Sequence, residues 1–272
     1  MSIPKKVHYL WLSEEKPAAV ERCLASWRKH LDGYEIIEWN KTNFPFEEFR
    51  FAREAYSKQK WAFVTDYFRL WVLEKFGGIY LDADVTLCRN FDNFLEDKLF
   101  IGVEFSDQIA AHAIGAEAGH PFIKKCLEYY QDRPFILPNG QCDMTPIPCI
   151  ITKIFMKMYN YSDEVIRYDG KPIVFSDMKI YPDSYFTINA YDGNNVGVHN
   201  GLGSWRDDHS ENPVLENVMA LYFWRKFCRK DIYAMGGLKK IVYLLLPVWA
   251  VSFVLKRKAK IRNNKRVRRV KL

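Results

Sequence analysis

A chain of 272 residues holds one large α/β domain or two small ones. Its 49% apolar and 27% charged residues place it among packed globular proteins and away from disordered ones. The net charge of +7 is confined to one end: residues 256–272 carry ten Lys or Arg and no acid, while residues 1–255 carry 30 bases against 33 acids, which argues against a nucleic-acid-binding body.

Lys6 to Leu12 is nearly all apolar and rich in β formers, so it predicts a first strand. Glu14 to Pro17 turns the chain. Val20, Leu24 and Trp27 recur at helical spacing across Ala18 to Leu31, and Tyr34 to Trp39 predicts a second strand, giving a parallel strand–helix–strand start. A long helix is expected from about Tyr56 to Phe76, with one buried and one wet face, stopped by Gly77-Gly78. Ile79 to Leu81 then forms a short buried strand. Strands are expected at Ile101 to Glu104 and Ala110 to Gly115, and helices at Pro121 to Tyr130 and Cys149 to Tyr159. Pro134 to Pro148 is turn-rich, and an irregular stretch after Tyr181-Pro182 ends in Val196 to His199. Cys23, Cys88, Cys126, Cys142, Cys149 and Cys228 form no C-x-x-C pair, and Ile3 to Leu12 is too short and too basic for a secretory signal, so free thiols in a reducing compartment are expected. An aromatic share of 16% fits stacking on sugars or bases, a membrane surface, or simply a ring-rich core.

The chemistry concentrates at Asp82-Ala83-Asp84, directly after the apolar strand. Residues two apart in a strand point the same way, so both carboxylates can face one point. Such a pair repels itself without a cation, and its oxygens suit Mn²⁺ or Mg²⁺, which neutralise a diphosphate. Asp66 and Arg69, three apart on the preceding helix, share a face. Set among Phe68, Leu70 and Trp71, Arg69 needs either a ligand or its neighbour Asp66 as an ion-pair partner.

The run Trp61-Ala62-Phe63-Val64-Thr65-Asp66-Tyr67-Phe68-Arg69, followed by Gly77-Gly78-Ile79-Tyr80-Leu81-Asp82-Ala83-Asp84, resembles the DXD-containing sugar transferases of glycosyltransferase family 32, with A-x-x-S/T-D-x-x-R and G-G-x-Y-x-D-x-D matched at every fixed position. Ile3 to Trp11 resembles that family's opening strand, and Val198-His199-Asn200 to Ser204-Trp205 resembles its closing H…S-W motif, so the likeness spans Ile3 to Trp205. It implies a GT-A fold, a twisted and mostly parallel sheet with helices on both faces, whose donor site lies at the carboxyl ends of the strands. It further implies Asp82, Asp84 and His199 as metal ligands. Asp82, Asp84 and Arg69 become the catalytic set. Leu10, Trp11, Asp66, Arg69, Tyr80, Asp82, Ser204 and Trp205 become the donor-binding set, with Trp11 on the base and Ser204-Trp205 over the diphosphate. The expected reaction is metal-dependent transfer from a UDP- or GDP-sugar with retention, by front-face attack or by double displacement through a carboxylate. The sequence departs from the family before Gly119-His120-Pro121, where an Asn is common. Here the stretch is Ile109-Ala110-Ala111-His112-Ala113, and His112 is either a specificity residue or a core histidine.

Residues 1–212 are thus expected to form the catalytic domain, and residues 213–272 a membrane-associated segment. Ile241 to Leu255 holds fifteen uncharged residues broken by Pro247 and enclosed by bases. A bilayer-spanning helix takes about 20 apolar residues, so an interfacial element on anionic lipid is expected, with a buried core helix or a short tilted span as alternatives. The family's bacterial capsule and lipopolysaccharide enzymes imply an acceptor that is an oligosaccharide or polyprenyl-diphosphate-linked, at the cytoplasmic face of a bacterial membrane, with no nucleic-acid partner. The competing expectation is a relative that binds a nucleotide sugar or glycan without turnover.

Overall fold

The computed structural model describes residues 2–104, 108–161, 171–187 and 194–201. Strand β1 (Lys6–Leu10), helix α1 (Ala18–His30) and strand β2 (Glu35–Trp39) form the expected parallel unit, in register from Lys6 beside Glu35 to Leu10 beside Trp39. In α1, Val20, Cys23, Leu24 and Trp27 make one buried stripe. Trp27 is fully buried and its indole N–H donates to Val85 O at 2.7 Å, so the ring is sequestered without an orphaned donor.

The long helix expected from Tyr56 is two helices, α2 (Arg50–Ser57) and α3 (Trp61–Phe76). Gln59, at a φ of 55°, ends the first and redirects the chain. Nor does α3 have the expected wet face. Phe63, Val64, Tyr67, Phe68, Leu70, Trp71, Val72 and Leu73 are buried, and so are Asp66 and Arg69. It is a central helix, packed between the sheet, α2 and α4 (Pro121–Tyr130). Gly77 and Gly78 stop it at φ values of 63° and 97°. A Cβ on Gly77 would stand 2.8 Å from Ala118 N, and one on Gly78 would stand 2.7 Å from Lys6 O. Both the backbone conformation and the close approach therefore require glycine.

Strand β3 (Gly78–Leu81) follows, then β4 (Val85–Leu87), β5 (Leu99–Glu104) and β6 (Gln108–Ala116). Beyond α4 come α5 (Ile147–Met158), β7 (Ile173–Val174), β8 (Lys179–Tyr181), the single turn α6 (Asp183–Phe186) and β9 (Gly197–His199). The main sheet has the order β2-β1-β3-β6-β5-β8-β7. Five strands point one way, while β6 and β7 run against them. Helices α2 to α5 cover one face over Tyr80, Ile101 and Ile114, and α1 and α6 cover the other over Val7, Ile79 and Phe100. This is the GT-A-like, mostly parallel α/β arrangement with helices on both faces.

Two irregularities shape one end of this sheet. The pairing of Ile101 with Ile114 gives way to Val103 with Ile109, so extra residues of β6 bulge out around Ala111 and His112. Strands β4 and β9 form a separate two-stranded sheet that sets His199 opposite Val85. Cys23, Cys88, Cys126, Cys142 and Cys149 are free thiols. Among the described residues no helix is long and apolar enough to cross a membrane. Ser204, Trp205, Cys228 and residues 213–272 lie outside the described residues.

Candidate active site

Strand β3 runs out of hydrogen-bonded pairing at Leu81, and Asp82 follows at the carboxyl edge of the sheet. Its backbone N–H donates to His112 O at 2.9 Å, and Val85 N–H donates back to Asp82 O at 3.0 Å. Asp82-Ala83-Asp84 is therefore a tight turn between β3 and β4 rather than the extended strand end expected from alternation. The turn, not the pleat, sets both carboxylates at this edge.

Arg69 organises Asp82. Its Nη2 donates to Asp66 Oδ1 at 2.9 Å, and its Nη1 donates to Ala111 O at 2.7 Å and stands 3.2 Å from Asp82 Oδ1. Nε donates to Thr65 O at 3.3 Å, and the guanidinium lies 4.7 Å from the centre of the Tyr80 ring. The carbonyl of Ala111 is available because β6 bulges there. The Tyr80 hydroxyl donates to Asp82 Oδ1, so this carboxylate is held from two sides. Burial works against the Arg69 charge, but Asp82, Tyr80 and Asp66 outweigh it and raise its pKa. Burial pushes the Asp66 carboxyl up to about 7 against the pull of Arg69, and burial pushes the Tyr80 hydroxyl well above its ordinary value.

The third expected ligand arrives from far along the chain. Asn200 donates from its backbone N–H and from Nδ2 to Asp84 O, at 3.1 and 2.7 Å, which clamps the end of β9 onto the turn. His199 Nε2 then lies 3.4 Å from Asp84 Oδ1. Burial would lower the His199 pKa, but Asp84, Glu104 and Asp82 raise it to about 9. One ligand atom from each of Asp82, Asp84 and His199 falls within 4.8 Å of the others. Two carboxylate oxygens and an imidazole nitrogen form a donor set that fits a divalent cation such as Mn²⁺ or Mg²⁺. The charges fit too: Asp82 and Asp84 lie beside Arg69 and His199, and a bound cation would replace the His199 proton as the positive charge facing Asp84.

The other expected site residues divide. Leu10 ends β1 beside β3 but is only 6% exposed and belongs to the core under α3. Trp11 is half-buried at the same edge, with its indole N–H donating to Glu15 O at 3.2 Å. Tyr80 is fully buried and touches the site through Asp82. Ser204 and Trp205 fall outside the described residues. Glu104 was missed. It ends β5 buried at 7% exposure, 3.7 Å from His199 Nδ1. The sequence shows an acid at the end of an apolar strand, much as Asp82 follows β3, but not what that acid faces. Burial raises the Glu104 pKa and lowers that of His112, whose ring stacks on His199.

A mostly parallel α/β sheet with a held Asp-x-Asp turn at its carboxyl edge is the arrangement that the resemblance to DXD-containing sugar transferases implies. Residues 17–101 match the family described as glycosyltransferase sugar-binding region containing DXD motif. The likeness is to DXD-containing sugar transferases, over about a third of the chain. It is 27% identical over 133 residues to inositol phosphoceramide mannosyltransferase 3 of Schizosaccharomyces pombe, covering 45% of this chain and 35% of that protein. It is 22% identical over 239 residues to mannosyl phosphorylinositol ceramide synthase CSH1 of Saccharomyces cerevisiae, covering 83% of this chain and 60% of the relative. The chain thus spans from about a third to three fifths of these curated relatives. Among solved structures, PaToxG glycosyltransferase is similar at 16% identity and a TM-score of 0.47, over 60% of this chain and 72% of that one.

Proposed function

We propose that this chain transfers a hexosyl group, with retention, from a UDP- or GDP-sugar to a glycan or lipid-borne acceptor. The observation that carries it is the convergence of Asp82, Asp84 and His199 within 4.8 Å at the edge where the sheet ends. These three residues would hold Mn²⁺ or Mg²⁺, and a bound cation would neutralise the donor diphosphate there. Arg69 and Tyr80 keep Asp82 oriented, so Arg69 acts on the donor through that carboxylate. Asp66 in turn fixes Arg69. Trp11, at the same edge, would meet the base, and Ser204-Trp205 would cover the diphosphate. Fixed groups of this kind contribute about 3–4 kcal/mol each where charge develops in the transition state.

The acceptor is proposed to be a phosphorylated membrane lipid. The fungal relatives are named as an inositol phosphoceramide mannosyltransferase and a mannosyl phosphorylinositol ceramide synthase, and a polyprenyl-diphosphate carrier presents the same combination of phosphate and lipid. The bacterial, cytoplasmic-face setting rests on family resemblance alone, since these relatives are fungal. Residues 1–212 are proposed as the catalytic domain and residues 213–272 as its peripheral attachment to anionic lipid.

A panel of UDP- and GDP-sugars with Mn²⁺, followed by thermal unfolding and by release of nucleoside diphosphate, tests this. One donor should stabilise the protein only with the metal present, by about 2.7 kcal/mol at 100 times its dissociation constant. Asp84→Asn should abolish both stabilisation and release. Binding without any release would mark a relative that does not turn over. No binding by any donor would overturn the proposal.

A further inference from the structure

His199 is sandwiched. Its Nε2 faces Asp84 at 3.4 Å, its Nδ1 faces Glu104 at 3.7 Å, and one ring face lies on His112, with centroids 4.2 Å apart and planes 19° apart. His112 is itself locked. The Thr187 hydroxyl donates to Val103 O at 2.8 Å, so its oxygen is left to accept from His112 Nε2 at 3.3 Å, while that nitrogen also lies 3.2 Å from Phe186 O. The proton of His112 therefore sits on Nε2. The wall behind His199 is neutral and fixed.

Glu104, His112 and His199 also bring three ligand atoms within 4.8 Å, which would suit a second cation by composition. The stacking argues otherwise. Imidazole lone pairs lie in the ring plane, and two nearly parallel rings about 4 Å apart cannot both aim in-plane at one ion. What the cluster can do is orient a ring. A carboxylate on one nitrogen of a metal-binding histidine selects the tautomer that leaves the other nitrogen free for the metal.

We propose that Glu104 is the positioning residue of His199: its carboxylate, 3.7 Å from Nδ1, keeps the proton on that nitrogen while His112 braces the ring face, which leaves the Nε2 lone pair for the cation held by Asp82 and Asp84. This rests on the cation site proposed above. Glu104 is not a ligand and does not touch the donor. It acts only through His199.

The test is Mn²⁺ titration of the metal-stripped full chain, read by the electron paramagnetic resonance signal of free Mn²⁺. Glu104→Gln keeps the size but removes the charge and can turn an N–H toward Nδ1. It should weaken Mn²⁺ about 10- to 100-fold. Glu104→Asp restores the charge from a shorter reach and should recover part of that loss. In a His199→Ala background, Glu104→Gln should change Mn²⁺ affinity no further, and the metal-free unfolding midpoint should not fall. Wild-type affinity in Glu104→Gln, alongside weak binding by Asp84→Asn, would overturn the role of Glu104 and leave the cation site standing. So would an undiminished effect of Glu104→Gln without His199, or a lowered metal-free midpoint. Equal Mn²⁺ affinity in wild type and Asp84→Asn would overturn the cation site and this proposal with it.

Discussion

His8 should make the fold acid-sensitive by an amount the structure sets. It lies in β1 at 1% exposure, with both ring nitrogens engaged. The Trp39 indole N–H, which can only donate, lies 3.2 Å from Nδ1, so Nδ1 accepts, and Nε2–H donates to Gly77 O at 3.1 Å. A second proton on Nδ1 would confront another N–H. Burial lowers the His8 pKa from 6.5 to about 4; Lys6 adds to the fall, while Gly77 O and Glu35 oppose it. Because the folded value lies below the unfolded one, the contribution is intact above pH 6.5 and drains away as pH falls toward 4. The full gap is worth about 3 kcal/mol, of which about 2 kcal/mol is lost by pH 5. His8→Gln can still donate to Gly77 O but strands the Trp39 N–H, costing about 1 kcal/mol at neutral pH. Urea unfolding of both proteins at pH 7.5 and 5 isolates the term, since other titrating groups cancel in the difference. Wild type should be the more stable at pH 7.5 and the less stable at pH 5. A difference between the two proteins that does not change with pH would refute the argument.

Arg69→Lys should cost about 2–4 kcal/mol of stability and weaken Mn²⁺ binding, because one ammonium cannot span Asp66, Asp82 and Ala111 O together. Urea unfolding and metal titration check it, and two unchanged values would mean the fork geometry is irrelevant. Gly78→Ala should cost about 3 kcal/mol in the same unfolding assay, since its Cβ would meet Lys6 O and His8 Nε2 on a backbone at φ 97°. Cutting after Tyr233 should leave a folded, donor-binding protein that no longer binds anionic vesicles, whereas the full chain should bind them less as salt rises. A truncated protein that unfolds would instead make Ile241 to Leu255 part of the core.

Much of this was legible along the chain, wherever the physics is local. The Gly119-His120-Pro121 turn and the spacing beyond it predict α4 to its last residue, with His120 Nδ1 accepting from Phe122 N–H as the cap. Gly77-Gly78 mark the end of α3, and the apolar run before Asp82 marks β3. Burial was less legible. Asp66 and Arg69 are legible as a pair on one helical face that needs a partner, but what the pair faces is not. In the fold they face Asp82 and the bulged carbonyl of Ala111, and those partners come from other elements. Glu104 went unread for the same reason. Its meaning depends on β5 lying beside the bulge of β6 and near β9, a neighbourhood that only strand order creates. The short β4–β9 pair carries too few residues for any period to show, although it decides where His199 stands.

That small pair has a consequence for how the protein comes into being. The carboxylates Asp82 and Asp84 emerge early in synthesis, but their histidine partner lies more than a hundred residues later and reaches them only when β9 closes on β4. A nascent or broken chain that stops before Val198 contains the whole Asp-x-Asp motif and still lacks the three-membered cluster. Contacts of such long range form late, after the loop between them has been ordered. A cation that needs all three groups would therefore bind last and hold the closing strand in place. Its occupancy would then certify that the chain has been made and folded as far as β9.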